Sequence, residues 1–152
     1  MIDQYEQQCV DIILDNHPGD SWVYTNGHYS LLDGMFIRGG VIKAVVEIKA
    51  RECVFGHHKR ELMGWLEMKA GRWASESFCC PFYLFAYHRK SEVVAGYKIT
   101  NDLGKFIREF DMSDYEQNKN SEDRETKTTR KTCWVESSNP SLLKRRGLRC
   151  IY

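Results

Sequence analysis

Between residues 3 and 16 apolar side chains recur at three-and-four spacing: Tyr5, Cys9 and Ile12 or Ile13, with Val10 and Leu14 nearby and Asp and Gln between them. That period is the helical one, so the pattern predicts an amphipathic helix. It stops at Asn16-His17-Pro18-Gly19, where proline and glycine forbid continuation. The period then changes. Ser21 to Thr25 reads as a short strand, Asn26-Gly27 as a hairpin turn, and Tyr29 to Arg38 as a second strand. Gly39-Gly40 gives another tight turn, and Val41 to Ala50 forms the clearest strand of the chain. Simple alternation on it puts Ile42, Ala44, Val46, Ile48 and Ala50 on one face, for packing against helices. Lys43, Val45, Glu47 and Lys49 take the other face, which carries the chemistry.

Helical spacing returns over residues 57–75, with Leu62, Trp65 or Leu66, Lys69 or Ala70, and Trp73 on one stripe. Gly64 weakens this helix and Gly71 is its candidate end. Phe78 to Tyr87 is dense in aromatic and aliphatic residues, as in a strand buried on both faces, and Glu92 to Ile99 is a further strand. Asp102 to Phe110 reads as a short helix with Leu103, Phe106, Ile107 and Phe110 inward. From Asp111 to Pro140 the chain is mostly Ser, Thr, Asn, Glu and Lys, the composition of a loose arm. The order, helix, three strands, helix, then two strands, predicts an α/β fold: a mixed sheet of about four to five strands flanked by helices. The core domain spans residues 1–112, and a polar, basic, partly flexible arm spans 113–152.

With 152 residues, 42% of them apolar, the chain is long enough for one core and too short for two ordinary domains. The N-terminus has no basic and apolar signal segment, and no run of eighteen apolar residues occurs, so a soluble, intracellular, cytoplasmic protein without membrane partners is expected. Six cysteines at irregular positions, two of them adjacent at Cys79-Cys80, predict free thiols. The net charge of +1 conceals an asymmetry. Residues 1–118 hold 13 Lys/Arg against 17 Asp/Glu, net −4, and residues 119–152 hold 9 against 4, net +5. Lys144-Arg145-Arg146 in that basic end can track a phosphate backbone.

The chemistry is concentrated in Asp33 and Glu47-Ile48-Lys49. Two carboxylates and a lysine brought together by neighbouring strands can hold a divalent metal beside an activated water, the apparatus for hydrolysing a phosphodiester. Glu-x-Lys by itself says little, because it occurs three times, at Glu47, Glu67 and Glu125. On a helix, residues two apart diverge by about 200°, which sets Glu67 and Lys69 apart. On a strand they share a face at about 7 Å, so Glu47 and Lys49 can reach one phosphate. The Glu125 copy lies in a polar stretch without rigid support. The turn imposes a condition: a plain two-residue loop at Gly39-Gly40 places Asp33 opposite Val46, on the wrong face. A three-residue loop or one bulge restores it beside Val45 or Glu47, and that irregularity is predicted.

Further phosphate contacts are expected from Lys43 on the strand, from Arg51 just past it, and from Lys59 and Arg60 beyond, next to His57-His58. Cys53 with His57-His58 has zinc-like spacing but lacks a convincing fourth ligand. The aromatic cluster at residues 82–87 reads as core rather than as base-stacking platforms.

This pattern resembles the PD-(D/E)XK nuclease superfamily over about residues 3–99. The likeness rests on Asp33, the Gly39-Gly40 turn, Glu47-Ile48-Lys49, a helical glutamate at Glu6, and the helix–strand pair of residues 57–87. Leu32 stands where the motif has its proline, a position many members vary. The resemblance implies a restriction-endonuclease-like core and a Mg²⁺ or Mn²⁺ site made by Asp33, Glu47 and the Ile48 carbonyl, completed by Glu6. Lys49 would orient or help deprotonate the attacking water. DNA is the implied substrate, an endonuclease the implied activity, and a homodimer the implied assembly. A phage or mobile-element origin suits the small size. The alternative is a non-catalytic nucleic-acid-binding or inhibitory protein that keeps a nuclease-like fold.

Overall fold

The structure, a computed structural model, describes residues 3–25, 32–56, 60–107, 112–114, 131–137 and 139–145. Helix α1 (Gln4–Asn16) begins where the Asp3 carboxylate accepts the Tyr5 N–H at 2.7 Å, an N-cap that satisfies one of the free donors of the first turn. It buries Cys9, Val10, Ile12 and Ile13, as its spacing predicts, and ends before Pro18. Strands β1 (Ser21–Tyr24), β2 (Gly34–Arg38) and β3 (Val41–Arg51) follow as an antiparallel meander. Asn26-Gly27 and the start of the expected second strand lie outside the described residues.

Beyond β3 the chain departs from its local pattern. Residues 60–64, expected in a helix, form strand β4 (Arg60–Gly64), and helix α2 (Trp65–Phe78) starts only after it. Leu62 and Met63 pair with Trp134 and Cys133 of β8 (Lys131–Glu136), and the Cys133 thiol donates to the Met63 carbonyl across 70 residues of sequence. Tertiary pairing overrides a local period that fits either element. Helix α2 also runs through Gly71. Glycine there allows close approach, since an added Cβ would fall inside the buried Phe82 ring. The inward face of α2 is Met68, Gly71, Ala74 and Ser75. Leu66 and Trp73 of the expected stripe are 63% and 71% exposed, and Trp65 and Ala70 pack only at the edge of the core.

Gly71→Ala is therefore expected to lower the melting temperature. Overpacking costs roughly 1–3 kcal/mol, more than the about 1 kcal/mol gained in helix propensity. Urea denaturation checks this, and a stability equal to or above wild type would contradict it.

Strands β5 (Phe82–His88) and β6 (Val93–Lys98) complete the middle of the sheet, and β9 (Ser141–Leu143) adds an edge to β6. The six-stranded order is β1-β2-β3-β5-β6-β9, with β3 and β5 parallel and joined through α2. Strand β7 (Met112–Asp114) joins β4 and β8 in a small second sheet, in the order β4-β8-β7. The α/β class with a mixed sheet stands. Part of the segment read as a loose arm instead enters the core, with Thr132, Cys133 and Val135 of β8 buried. Its residues 115–130 lie outside the described residues.

The expected helix at 102–110 is a turn over its described part. The Asn101 side chain accepts the N–H of Leu103 and of Lys105, both at 2.9 Å, and Gly104 takes φ +77, so a helix cannot propagate. Leu103 and Ile107 are exposed rather than inward, and Phe106 is partly so, held under the Arg72 guanidinium.

The large sheet has a core on each face. Helix α1 covers Ala44, Val46, Ile48, Phe85 and Tyr87; α2 and the small sheet cover Val45, Leu84, Ala86 and Tyr97. Ile42 packs with the second group, opposite to its place by simple alternation, because the strand bulges at Lys43. No helix among the described residues is long and apolar enough to cross a membrane. The five cysteines among them are free thiols.

Candidate active site

The turn and its irregularity place Asp33. Arg38 pairs with Val41, as in a two-residue loop, but the register shifts between Phe36 and Ile37: Ile37 faces Ile42, and Phe36 faces Ala44. Lys43 is the extra residue of this bulge. Gly34 therefore pairs with Val46 rather than with Val45, and one step back Asp33 comes abreast of Glu47. The condition set by the sequence is met by a bulge rather than by a longer loop.

Strand β2 begins at Gly34, and the side chain of Asp33, one residue before it, reaches across to β3. The Asp33 Oδ2 accepts the Ile48 N–H at 2.6 Å. Val45 donates to the Pro81 carbonyl and Arg51 accepts from Arg89, so odd-numbered residues of β3 direct their backbone groups toward β5. By alternation both the N–H and the C=O of Ile48 point to the Asp33 side.

Glu47 is 5% exposed, and its Oε2 is buried without a hydrogen-bond donor. Burial pushes its carboxyl up to about 10; Lys49 opposes that, while Glu67 and Asp33 add to it, Asp33 also by lying close enough to share the proton. Lys49 Nζ lies 3.5 Å from Glu47 Oε1 and 2.9 Å from Glu67 Oε2. Burial pulls the Lys49 ammonium down, and Glu47 and Glu67 outweigh it, so Lys49 is held above its ordinary value as a fixed cation. Glu6 reaches the same field from α1. Its carboxyl is raised to about 7, first by burial, then by Asp33 and Asp3, with Lys49 opposing.

Asp33, Glu47, Lys49, Glu6 and the Ile48 backbone thus form one neighbourhood. Sequence reasoning missed Glu67, having set aside the second Glu-x-Lys because Lys69 diverges from it. Glu67 nonetheless sits in the first turn of α2, where an acid suits the helix dipole, and it turns toward β3. Its partner was invisible without the start of α2. Glu67→Gln leaves Lys49 only its 3.5 Å contact. It is expected to cost on the order of 1 kcal/mol near neutral pH and to shift the titration of Glu47 downward, since a like charge is removed. Urea denaturation across pH reads both, and an unchanged pH profile would show that Glu67 does not act on the pair.

The expected phosphate contacts are dispersed. Arg51 shares the face of Lys49 but is tied to buried Glu61 by a 2.7 Å bond. Lys43 lies at the bulge, lining a cavity with Phe36 and Ala44 on the α1 side of the sheet. Lys144 and Arg145 follow β9 near the end of α1, where the Asn16 side chain donates to the Lys144 carbonyl at 2.6 Å. Lys59, Arg146 and the Arg60 side chain lie outside the described residues, as do His57 and His58. Cys53 turns to His88, its Sγ 3.8 Å from Nδ1.

Among the described residues no three Asp, Glu, His or Cys side chains converge as a ready metal-ligand set. The carboxylates are adjacent, but Asp33 Oδ2 is engaged by the Ile48 N–H. Comparison with protein-family models, curated proteins and solved structures finds no match to this chain.

Proposed function

We propose that this chain is a metal-dependent deoxyribonuclease that cuts internally, with Asp33, Glu47 and Lys49 as its active residues. One observation carries the reading: Glu47 is buried without a donor for Oε2, against a second carboxylate and beside a lysine. Burying two adjacent carboxyl groups costs stability, and such arrangements concentrate at functional sites. Asp33, Glu47, Glu6 and the Ile48 carbonyl offer hard oxygen donors, which suit Mg²⁺ or Mn²⁺. A bound divalent ion supplies an acidified water and neutralises phosphate charge.

The residues themselves divide the remaining work. Burial holds the Glu47 carboxyl well above its ordinary value, so its proton would have to leave for the carboxylate to serve as a metal ligand. Asp33 holds the Ile48 peptide in place, which sets where that carbonyl points. Lys49, held as an ammonium, orients the attacking water and stabilises charge on the phosphate; general-base duty does not suit a cation whose proton is held this firmly.

The engagement of Asp33 by Ile48 favours a second reading, a nuclease-like fold that binds nucleic acid without cutting it. Linear, circular, single-stranded and four-way-junction DNA and matched RNA, each incubated with Mg²⁺ or Mn²⁺, separate the two. Cleavage that Asp33→Asn loses supports the nuclease, and the preferred substrate identifies its class. Binding with no cleavage of any substrate by folded protein supports the second reading.

A further inference from the structure

Helix α1 stops at Asn16 while the sheet beneath it continues, leaving a cavity of about 470 Å³ on the face opposite Glu47 and Lys49. This is within the size range of small-ligand sites. Ala44 lies beneath it, and Gly96, paired with Phe85, leaves room for the Phe85 ring that forms part of its floor. A Cβ at Gly96 would stand 2.8 Å from the Phe85 ring. The lining is aromatic. Tyr83 and Phe85 stack at 5.2 Å with an 11° interplanar angle, and Phe36 meets Phe85 edge-on at 6.5 Å. A planar ring can extend that stack.

The lining carries two cations, Arg38 and Lys43, together with the Asp20 carboxylate and His17, and the two cations are not equally committed. Arg38 is held by Asp20 at 2.6 Å and by the Pro18 carbonyl at 3.0 Å. Lys43 has no such ion pair among the described residues, and the same bulge that aligns Asp33 with Glu47 delivers it to this mouth. An aromatic floor beside an uncommitted ammonium matches a planar ring that bears an anion.

We propose that this cavity binds a nucleoside monophosphate, its base against Tyr83 and Phe36 and its phosphate toward Lys43. The site uses neither Glu47 nor Lys49 and is independent of the nuclease reading. The test is calorimetric titration of the full chain with dAMP in EDTA, with deoxyadenosine and inorganic phosphate as separate arms. Two variants accompany it: Lys43→Glu, which reverses an exposed charge, and Ser141→Phe, which fills the mouth from an exposed position on edge strand β9. Circular dichroism verifies that both fold. The expected result is saturable dAMP binding by wild type and weaker binding of either fragment. Lys43→Glu should reduce affinity on the order of tenfold, and Ser141→Phe should abolish binding. Failure of dAMP to saturate folded wild type, binding no tighter than phosphate alone, or equal binding by both folded variants would overturn the proposal.

Discussion

Glu47→Gln is expected to make the metal-free protein more stable at pH 8 by on the order of 1–3 kcal/mol while strongly reducing cleavage. The carboxyl ionises near its ordinary value of 4.5 when unfolded and near 10 when folded, chiefly because burial disfavours the charge. Between those values the native state binds more protons than the unfolded state, so stability falls as pH rises. The contribution is complete below about 4.5 and is progressively lost toward 10. Glutamine has the shape of the protonated acid and can still donate to Asp33, yet it needs no proton. The variant's stability should therefore vary less between pH 5 and pH 8, with a remaining slope of the same sign from Glu6, raised to about 7. As a neutral side chain it is a poor ligand for a hard cation, so cleavage should fall by roughly a hundredfold or more. Urea denaturation in EDTA at several pH values checks the stability half. A variant that is less stable at pH 8, or whose pH profile equals wild type, would contradict the account of Glu47.

A chain ending at Asp111 is expected not to fold cooperatively. Such a truncation looks harmless from composition, because it removes mostly polar sequence. It also removes β8 and β9. Cys133 and Val135 are fully buried in the cluster that holds Met63, Met68, Leu84 and Tyr97, and β9 covers the edge of β6. Losing them exposes apolar surface beneath β4 and α2 and leaves the β4 backbone without its β8 partner. The point variant Val135→Asp isolates the packing: a buried unpaired carboxylate there should cost at least about 3 kcal/mol. Thermal unfolding followed by circular dichroism reads both, and a sharp, near-wild-type transition in the truncated chain would show that the segment is dispensable.

The same contrast explains which parts of the structure were legible from sequence. Local period was a reliable guide where an element's own residues decide it, as in α1 with Cys9, Ile12 and Ile13, and in β3 beyond its bulge, where Ala44, Val46 and Ile48 share one face. The Gly39-Gly40 turn shows how function can sharpen such reading: requiring Asp33 to meet Glu47 demanded an irregular register, and the bulge at Lys43 provides it. Local pattern failed where a distant partner decides. Leu62 and Met63 belong to a strand because Trp134 and Cys133 pair with them, and nothing near residue 62 announces that. Gly71 looks like a breaker until Phe82 is seen to need its space. Glu67 looks solvated until α2 turns it toward Lys49.

Cleavage of supercoiled plasmid with Mg²⁺, by wild type and by Glu47→Gln side by side, decides whether the Glu47 carboxylate serves phosphodiester hydrolysis. Nicked and linear products are expected from wild type, none in EDTA, and at least about a hundredfold less from Glu47→Gln, with circular dichroism verifying that the variant is folded. Equal cleavage by both proteins would place the activity elsewhere, and no cleavage by folded wild type with either Mg²⁺ or Mn²⁺ would contradict the proposed function.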